Sequence, residues 1–247
     1  MKLQAGIAVF IILVLIIVVV ILLNLRGEET VITQYLKGKV LLIKPIEINN
    51  TFNKNEEKIF KFNVSNLIDF DVRNIKIYSK LSPDWKVNDK SEETLEIFSL
   101  NKLSPKSFTN FDVKLKAPDI QFEYTFSLLA SYSTSTKISA LIEFSKNGKV
   151  KSSKVHEGYI NLKEIKANFS AFGKVPINFT VDYPKTVQIE KVEGIYRLEN
   201  CNLIKENIIN CIINVGEYKD SIEVALELKI DYNVTKEEAF STKLKIV

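Results

Sequence analysis

Two hydrophobic patterns divide this chain. Ala5 to Leu23 form a near-unbroken apolar run, and beyond Asn24 the apolar residues thin out and settle into a period of two. Phe122, Tyr124, Phe126, Leu128, Ala130 and Tyr132 alternate with Gln121, Glu123, Thr125, Ser127, Leu129 and Ser131. A second stretch opposes Ile222, Val224, Leu226, Leu228, Ile230, Tyr232 and Val234 to Glu223, Ala225, Glu227, Lys229, Asp231 and Asn233. Such alternation predicts strands with one face in a core and the other in water, the habit of antiparallel sandwiches.

Shorter strands fit the same pattern: 40–48, 58–64, 72–81, 94–100, 108–116, 137–144, 175–182, 187–197, 208–215 and 240–246. Ser82-Pro83-Asp84, Ser104-Pro105-Lys106, Ala117-Pro118-Asp119, Asn147-Gly148 and Tyr183-Pro184-Lys185 supply the turn chemistry between them. No stretch after the first run shows a 3.6-residue period. The fold class expected is therefore all-β, with more strands than one seven-stranded sandwich holds. The predicted organisation is a transmembrane anchor over 1–26, a juxtamembrane linker over 27–37, and two immunoglobulin-like sandwiches over 38–162 and 163–247.

The apolar run has its own meaning. Nineteen helical residues would extend about 28 Å, close to the thickness of a bilayer core, and the run exceeds an ordinary signal-peptide h-region. No Ala-x-Ala-like cleavage site follows it, so the segment is expected to stay as a single-pass anchor.

A net charge of +4 is spread over alternating signs without a Lys/Arg block, which implies no nucleic-acid partner. Cys201 and Cys211 flank a polar centre, Lys205-Glu206-Asn207, and two readings fit: a cross-strand disulfide in a hairpin, which needs an oxidising compartment, or two free core thiols. Five Asn-x-Ser/Thr sequons, at Asn49, Asn63, Asn168, Asn178 and Asn233, all follow the anchor and are candidate glycosylation sites. Against an exterior tail stands the positive-inside rule: Lys2 precedes the run, whereas Arg26, Lys37, Lys39 and Lys44 follow it. Only Arg26 is in the immediate flank, so cysteines and sequons decide for an extracytoplasmic tail.

The order Phe62-Asn63-Val64-Ser65-Asn66, Val72-Arg73-Asn74-Ile75, Leu81-Ser82-Pro83-Asp84-Trp85-Lys86-Val87 and Leu103-Ser104-Pro105-Lys106-Ser107 resembles the immunoglobulin-like repeats of archaeal and bacterial surface proteins, of the cell-adhesion-related and S-layer-associated kinds. The later segment, with Asp182-Tyr183-Pro184, Cys201, Cys211 and Asp231-Tyr232, is similar to C-terminal domains of single-pass archaeal envelope proteins. The resemblance implies a sandwich fold and a place at the cell membrane, and carries over no site.

Candidate chemistry is sparse. His156 is the only histidine, with no Gly-x-Ser-x-Gly elbow, and reads as a solvated linker residue rather than a base. Asp69-Phe70-Asp71 lacks the spacing and glycine of a calcium loop and reads as a turn. Glu92-Glu93 and Glu237-Glu238 read as solvated turn charges. Trp85 reads as core, with an exposed binding anchor as the other reading. No cofactor is expected. The function expected is a non-enzymatic, membrane-anchored envelope module, structural or binding. Its partners are the lipid bilayer through Ala5 to Leu23 and another envelope or surface protein. A pilin-like filament subunit is the alternative.

Overall fold

The computed structural model describes residues 39–247, so the anchor expected over Ala5 to Leu23 lies outside the described residues. Among those described, no helix is long and apolar enough to cross a membrane. The described residues are all-β, a β-sandwich architecture of fifteen strands: β1 (Leu41–Glu47), β2 (Thr51–Phe52), β3 (Glu57–Asn66), β4 (Val72–Lys80), β5 (Lys86–Val87), β6 (Thr94–Leu103), β7 (Phe108–Lys116), β8 (Glu123–Ser145), β9 (Lys149–His156), β10 (Asn161–Ala167), β11 (Gly173–Asp182), β12 (Val187–Tyr196), β13 (Leu198–Lys205), β14 (Ile208–Val215) and β15 (Ser221–Ile246).

Three sheets result. One four-stranded sheet runs β1-β3-β7-β5 and another β10-β11-β14-β13, while a seven-stranded sheet follows β12-β15-β8-β4-β6, with β2 added to β15 and β9 to β8. The spine is the β8–β15 ribbon, antiparallel from Ser221↔Ser145 to Lys245↔Glu123. Each of its strands is longer than 20 residues, so the ribbon extends roughly 75 Å, where most strands in globular proteins stop near 10 residues. Its even-numbered residues face inward. Phe126, Leu128, Ala130 and Tyr132, then Ile138, Ala140, Ile142 and Phe144, are all buried on β8.

The ribbon serves two four-stranded sheets in succession. Near one end, Phe60 and Phe62 of β3 meet Phe126 of β8 (ring centroids 6.3 Å apart in each case), and Phe62 meets Phe240 of β15 at 5.3 Å. Towards the other end, Val175, Ile177, Phe179 and Val181 of β11 and Ile209, Cys211, Ile213 and Val215 of β14 are buried. All belong to one hydrophobic cluster with the ribbon, and Val40–Val247 forms one compact unit. The boundary expected near residues 158–163 falls in the passage from β9 to β10, inside that single unit. Phe240, however, lies beyond that boundary in sequence and packs in the first sandwich, because β15 returns along the whole of β8.

The alternation fixes which substitutions the ribbon tolerates. Leu226 is 2% exposed in the second-sandwich half, while Glu227 faces out and pairs with Lys137 at 2.7 Å. Leu226→Asp is expected to cost roughly 3 to 5 kcal/mol of a total of about 5 to 15, because it buries an unpaired charge. Glu227→Lys is expected to cost at most about 1 kcal/mol, the value of a partly exposed ion pair. Trp85, the sole tryptophan, sits in the first sandwich, so its fluorescence reads coupling directly. In Leu226→Asp the Trp85 transition should shift down with the circular-dichroism melt, and an unmoved Trp85 transition would mean that the two halves unfold separately.

Candidate functional site

The waist between the sandwiches is where polar groups collect, and the ribbon's register explains why. Between Val234 and Glu237, and again between Glu238 and Phe240, β15 gains one residue on β8. Two single-residue bulges cancel: Val234↔Tyr132 and Phe240↔Leu128 both place even residues inward, but between them the phase is inverted and Glu237↔Ala130 turns the carboxylate toward the core. There Tyr132 donates to Glu237 at 3.2 Å and Tyr159 makes a short bond to its other oxygen. Glu237 is therefore half-buried and doubly bonded, which corrects its reading as a solvated turn charge.

Tyr232 completes the cluster by accepting a bond from the Tyr159 amide at 3.4 Å. Gly158, at φ +117°, lets the backbone approach: a Cβ there would lie 2.5 Å from the Tyr232 hydroxyl. Burial, with the negative charge of Glu237, holds the Tyr132 and Tyr159 phenols above their ordinary range. Burial pushes Tyr232 up to about 12. Asn66, 2% exposed, fills the same layer, donating to the carbonyls of Phe70 (2.8 Å), Ser104 (3.0 Å) and Leu103 (3.2 Å) and accepting from the Ile68 amide (3.0 Å). Lys106 bridges to Glu157 at 3.1 Å and Asp69 at 3.4 Å on the surface above.

On one edge β8 changes partner at the waist. β4 pairs with it up to Arg73↔Ser133 and β9 from Lys137↔His156, so Thr134 to Thr136 have no strand on that side. Side chains close the gap: Thr134 donates to the Asp71 carbonyl at 3.0 Å and Thr136 to the Glu157 carbonyl at 2.8 Å. A cleft of about 360 Å³ opens beside it, lined by Phe70 and Asp71 just before β4 and Arg73 on it, Ser133 and Ser135 from β8, Lys229 and Asp231 from β15, and Glu190 from β12. Three carboxylates and two cations line it, and both aspartates are paired. Asp71 contacts Lys102 (2.9 Å) and Arg73 (3.4 Å), and the lysine's hydrogen bond keeps its carboxyl below the usual range. Asp231 contacts Ser135 (2.6 Å) and Lys229 (2.9 Å). Partial burial alone would raise its carboxyl, but these two partners outweigh that and lower it. The rim offers donors and acceptors to a polar partner, chemistry suited to recognition.

Residues singled out in the sequence fall elsewhere. Trp85 is fully buried, edge-on to Phe52 (4.9 Å) and Tyr124 (5.6 Å), so the exposed-anchor role weighed for it is not open to it. Cys201, in an irregularity of β13 between Glu199 and Asn202, and Cys211 on β14 are bonded. His156 ends β9, its ring 3.1 Å from the Ser139 hydroxyl on β8, and among the described residues no carboxylate bonds the ring. Asp69 and Asp71 are engaged by different cations, and no metal-ligating cluster occurs among the described residues. Asn49 and Asn168 are exposed outside strands, whereas Asn63, Asn178 and Asn233 are half-buried within them. The cleft escaped sequence reading because its residues come from four separated segments. For Glu237 the trace was the break in alternation at Thr235-Lys236.

This β-sandwich matches no protein-family model, and no curated protein matches it. Among solved structures it is similar to the crystal structure of Spo0M, a sporulation control protein from Bacillus subtilis, at 10% identity over 76% of this chain and 91% of that one. The TM-score of 0.20 is too low for that likeness to carry an argument.

Two outcomes follow from this geometry. A phenol whose folded pKa is raised stabilises fully below its unfolded value near 10, and the unfolded state alone releases its proton above that. Stability should thus fall from pH about 10 through about 12, read as a drop in melting temperature that is shallower in Tyr232→Phe. An unchanged pH slope in that variant would contradict the assignment. Separately, β13 buries little apolar surface beyond Leu198, so the disulfide is its main fastening. Cys201→Ser/Cys211→Ser is expected to lose about 2.5 to 3 kcal/mol in denaturant titration and to speed amide exchange along β14. Uniform exchange across the sheet would argue against a local clip.

Proposed function

We propose that this chain is a membrane-anchored, extracytoplasmic module of the cell envelope, non-enzymatic, with immunoglobulin-like sandwiches that bind another surface component or hold it at a distance from the bilayer. The observation that carries the reading is the sequence order: an apolar run from Ala5 to Leu23 ahead of a tail whose described residues, from 39 on, are all-β. A bonded cysteine pair in that tail supports an oxidising compartment. The waist cleft, with a hydrogen-bonding rim that carries charges of both signs, is the surface assigned to the partner.

The test combines placement with contact. Full-length protein should stay in the membrane pellet after an alkaline wash and keep the run from Ala5 on intact-mass analysis. Its tail should be cut by protease added to whole cells. A photo-crosslinking residue at Ser133, on the cleft rim, should yield a discrete adduct that one at Lys174, an exposed position on β11, does not. A mature chain beginning near Glu28, or a tail protected from external protease, would overturn the placement. Equal crosslinking from both positions would remove the cleft from the role.

A further inference from the structure

We propose that Asn49 and Asn168 are the asparagines of this chain that carry glycan, and that Asn63, Asn178 and Asn233 do not; the inference rests on the extracytoplasmic placement proposed above. N-linked transfer sets a geometric demand. The amide Nδ2 attacks the anomeric carbon of a lipid-linked saccharide phosphate, a nitrogen–carbon bond forms, and the carbon–oxygen bond to phosphate breaks. The phosphate leaves with that electron pair, and one amide proton passes to a base. Nothing is oxidised or reduced. An acceptor on the folded chain must therefore present Nδ2 to a bulky donor, free of protein partners and clear of sheet neighbours.

Two of the five sequons satisfy this. Asn168 is exposed in the turn between β10 and β11. Its side-chain oxygen accepts from the Ser170 hydroxyl at 2.8 Å and the Ser170 amide at 3.3 Å, which leaves Nδ2 without a partner among the described residues. The hydroxyl two residues on, which the sequon requires, is thus already against the acceptor amide. Asn49 is exposed just before β2, its oxygen accepts from the Thr51 amide at 3.1 Å, and its Nδ2 is likewise unengaged among the described residues.

The other three are held in sheets. Asn63 lies on β3, flanked by β1 and β7, and its Nδ2 donates to the Asn110 side chain at 2.9 Å. Asn178 lies on β11 between β10 and β14, its oxygen accepting from Asn210 at 2.8 Å. Asn233, on β15 between β12 and β8, spends its Nδ2 on Glu190. Asn63 and Asn233 would have to give up the bond their Nδ2 makes, and all three, Asn178 included, would have to lift a half-buried amide out of a strand paired on both sides.

The placement has a consequence for the waist. Asn168 sits by the far end of β8, where the Phe169 carbonyl accepts from the Ser145 amide at 2.9 Å. Asn49 adjoins the end of β15, where the Asn50 carbonyl accepts from the Lys245 amide at 2.8 Å. Glu190, which holds the Asn233 amide, lines the cleft. Glycan at the two exposed sequons leaves that opening uncovered.

The experiment is glycopeptide mapping of the full-length protein purified from membranes of its own host, beside Asn49→Gln, Asn168→Gln, the double variant, and Thr51→Ala and Ser170→Ala, which keep each asparagine but remove its hydroxyl. Two glycans are expected on the native chain, one on every single variant and none on the double variant. Glycan on Asn63, Asn178 or Asn233 overturns the proposal. Protease added to whole cells separates the remaining failures. A tail that is digested yet carries no glycan at Asn49 and Asn168 refutes the site assignment alone. A tail that is protected and bare refutes the placement and the assignment with it.

Discussion

One constraint governs the rest of the structure: β8 and β15 must keep the same face inward along their whole shared length while serving two different opposing sheets. A strand has a side-chain period of two, so a slip of one residue would turn every core residue of the ribbon to water. The ribbon satisfies this with two compensating bulges between Val234 and Phe240 rather than with none. The inverted stretch between them admits one polar side chain to the inside, Glu237. The tyrosines around it satisfy the carboxylate, so the interruption of the apolar core costs little.

Much of this was legible in the residues. The strand expected over 108–116 matches β7, that over 208–215 matches β14, and the alternating stretches at 121–132 and 222–234 fall on the ribbon, except that Gln121 and Phe122 precede β8 and Phe122, expected inward, is exposed. What could not be read was that 122–132 continues into 137–144, and 222–234 into 240–246, as single strands. At the joins the inward positions are Thr134, Thr136 and Glu237, so the hydrophobic pattern fades at the waist. Polar residues there look like loops because apolar periodicity marks a strand only where its inner face meets an apolar core. Once the ribbon was divided at those points, a two-domain reading with a linker near 158–163 was the natural outcome, and the packing of Phe240 against Phe62 was out of reach.

The outer strands raise a separate difficulty, since a sandwich with this many sheets exposes many unpaired edges. Most of them are blunted locally. β1 carries Pro45 beside a register shift, β12 has two shifts and β10 one, and β5 is two residues long. β9 presents Lys149, Lys151 and Lys154. On β13 the means is covalent. Its register is interrupted twice against β14 and most of its side chains face water, so packing alone would hold it weakly, and the Cys201–Cys211 bond supplies what the burial does not. The cysteines' spacing in the sequence pointed to a hairpin, but the reason the hairpin needs a bond appears only from the burial of β13.

The cleft follows from the same economy of strands. Because one long strand takes β4 as its neighbour in the first sandwich and β9 in the second, on the same edge, the two partners cannot both reach the middle, and Thr134 to Thr136 are left for side chains to cap. A sheet edge interrupted in this way is a concavity with exposed backbone polarity, and the residues around it must be hydrophilic to be stable in water. That accounts for the paired charges of Asp71 and Asp231 without any appeal to function. The concavity's shape is set by strands that the cores hold, and its side chains can vary without disturbing either core. Core and rim are separable here at the level of single residues, the inward positions of the ribbon answering to packing and the waist rim to solvation and its own ion pairs.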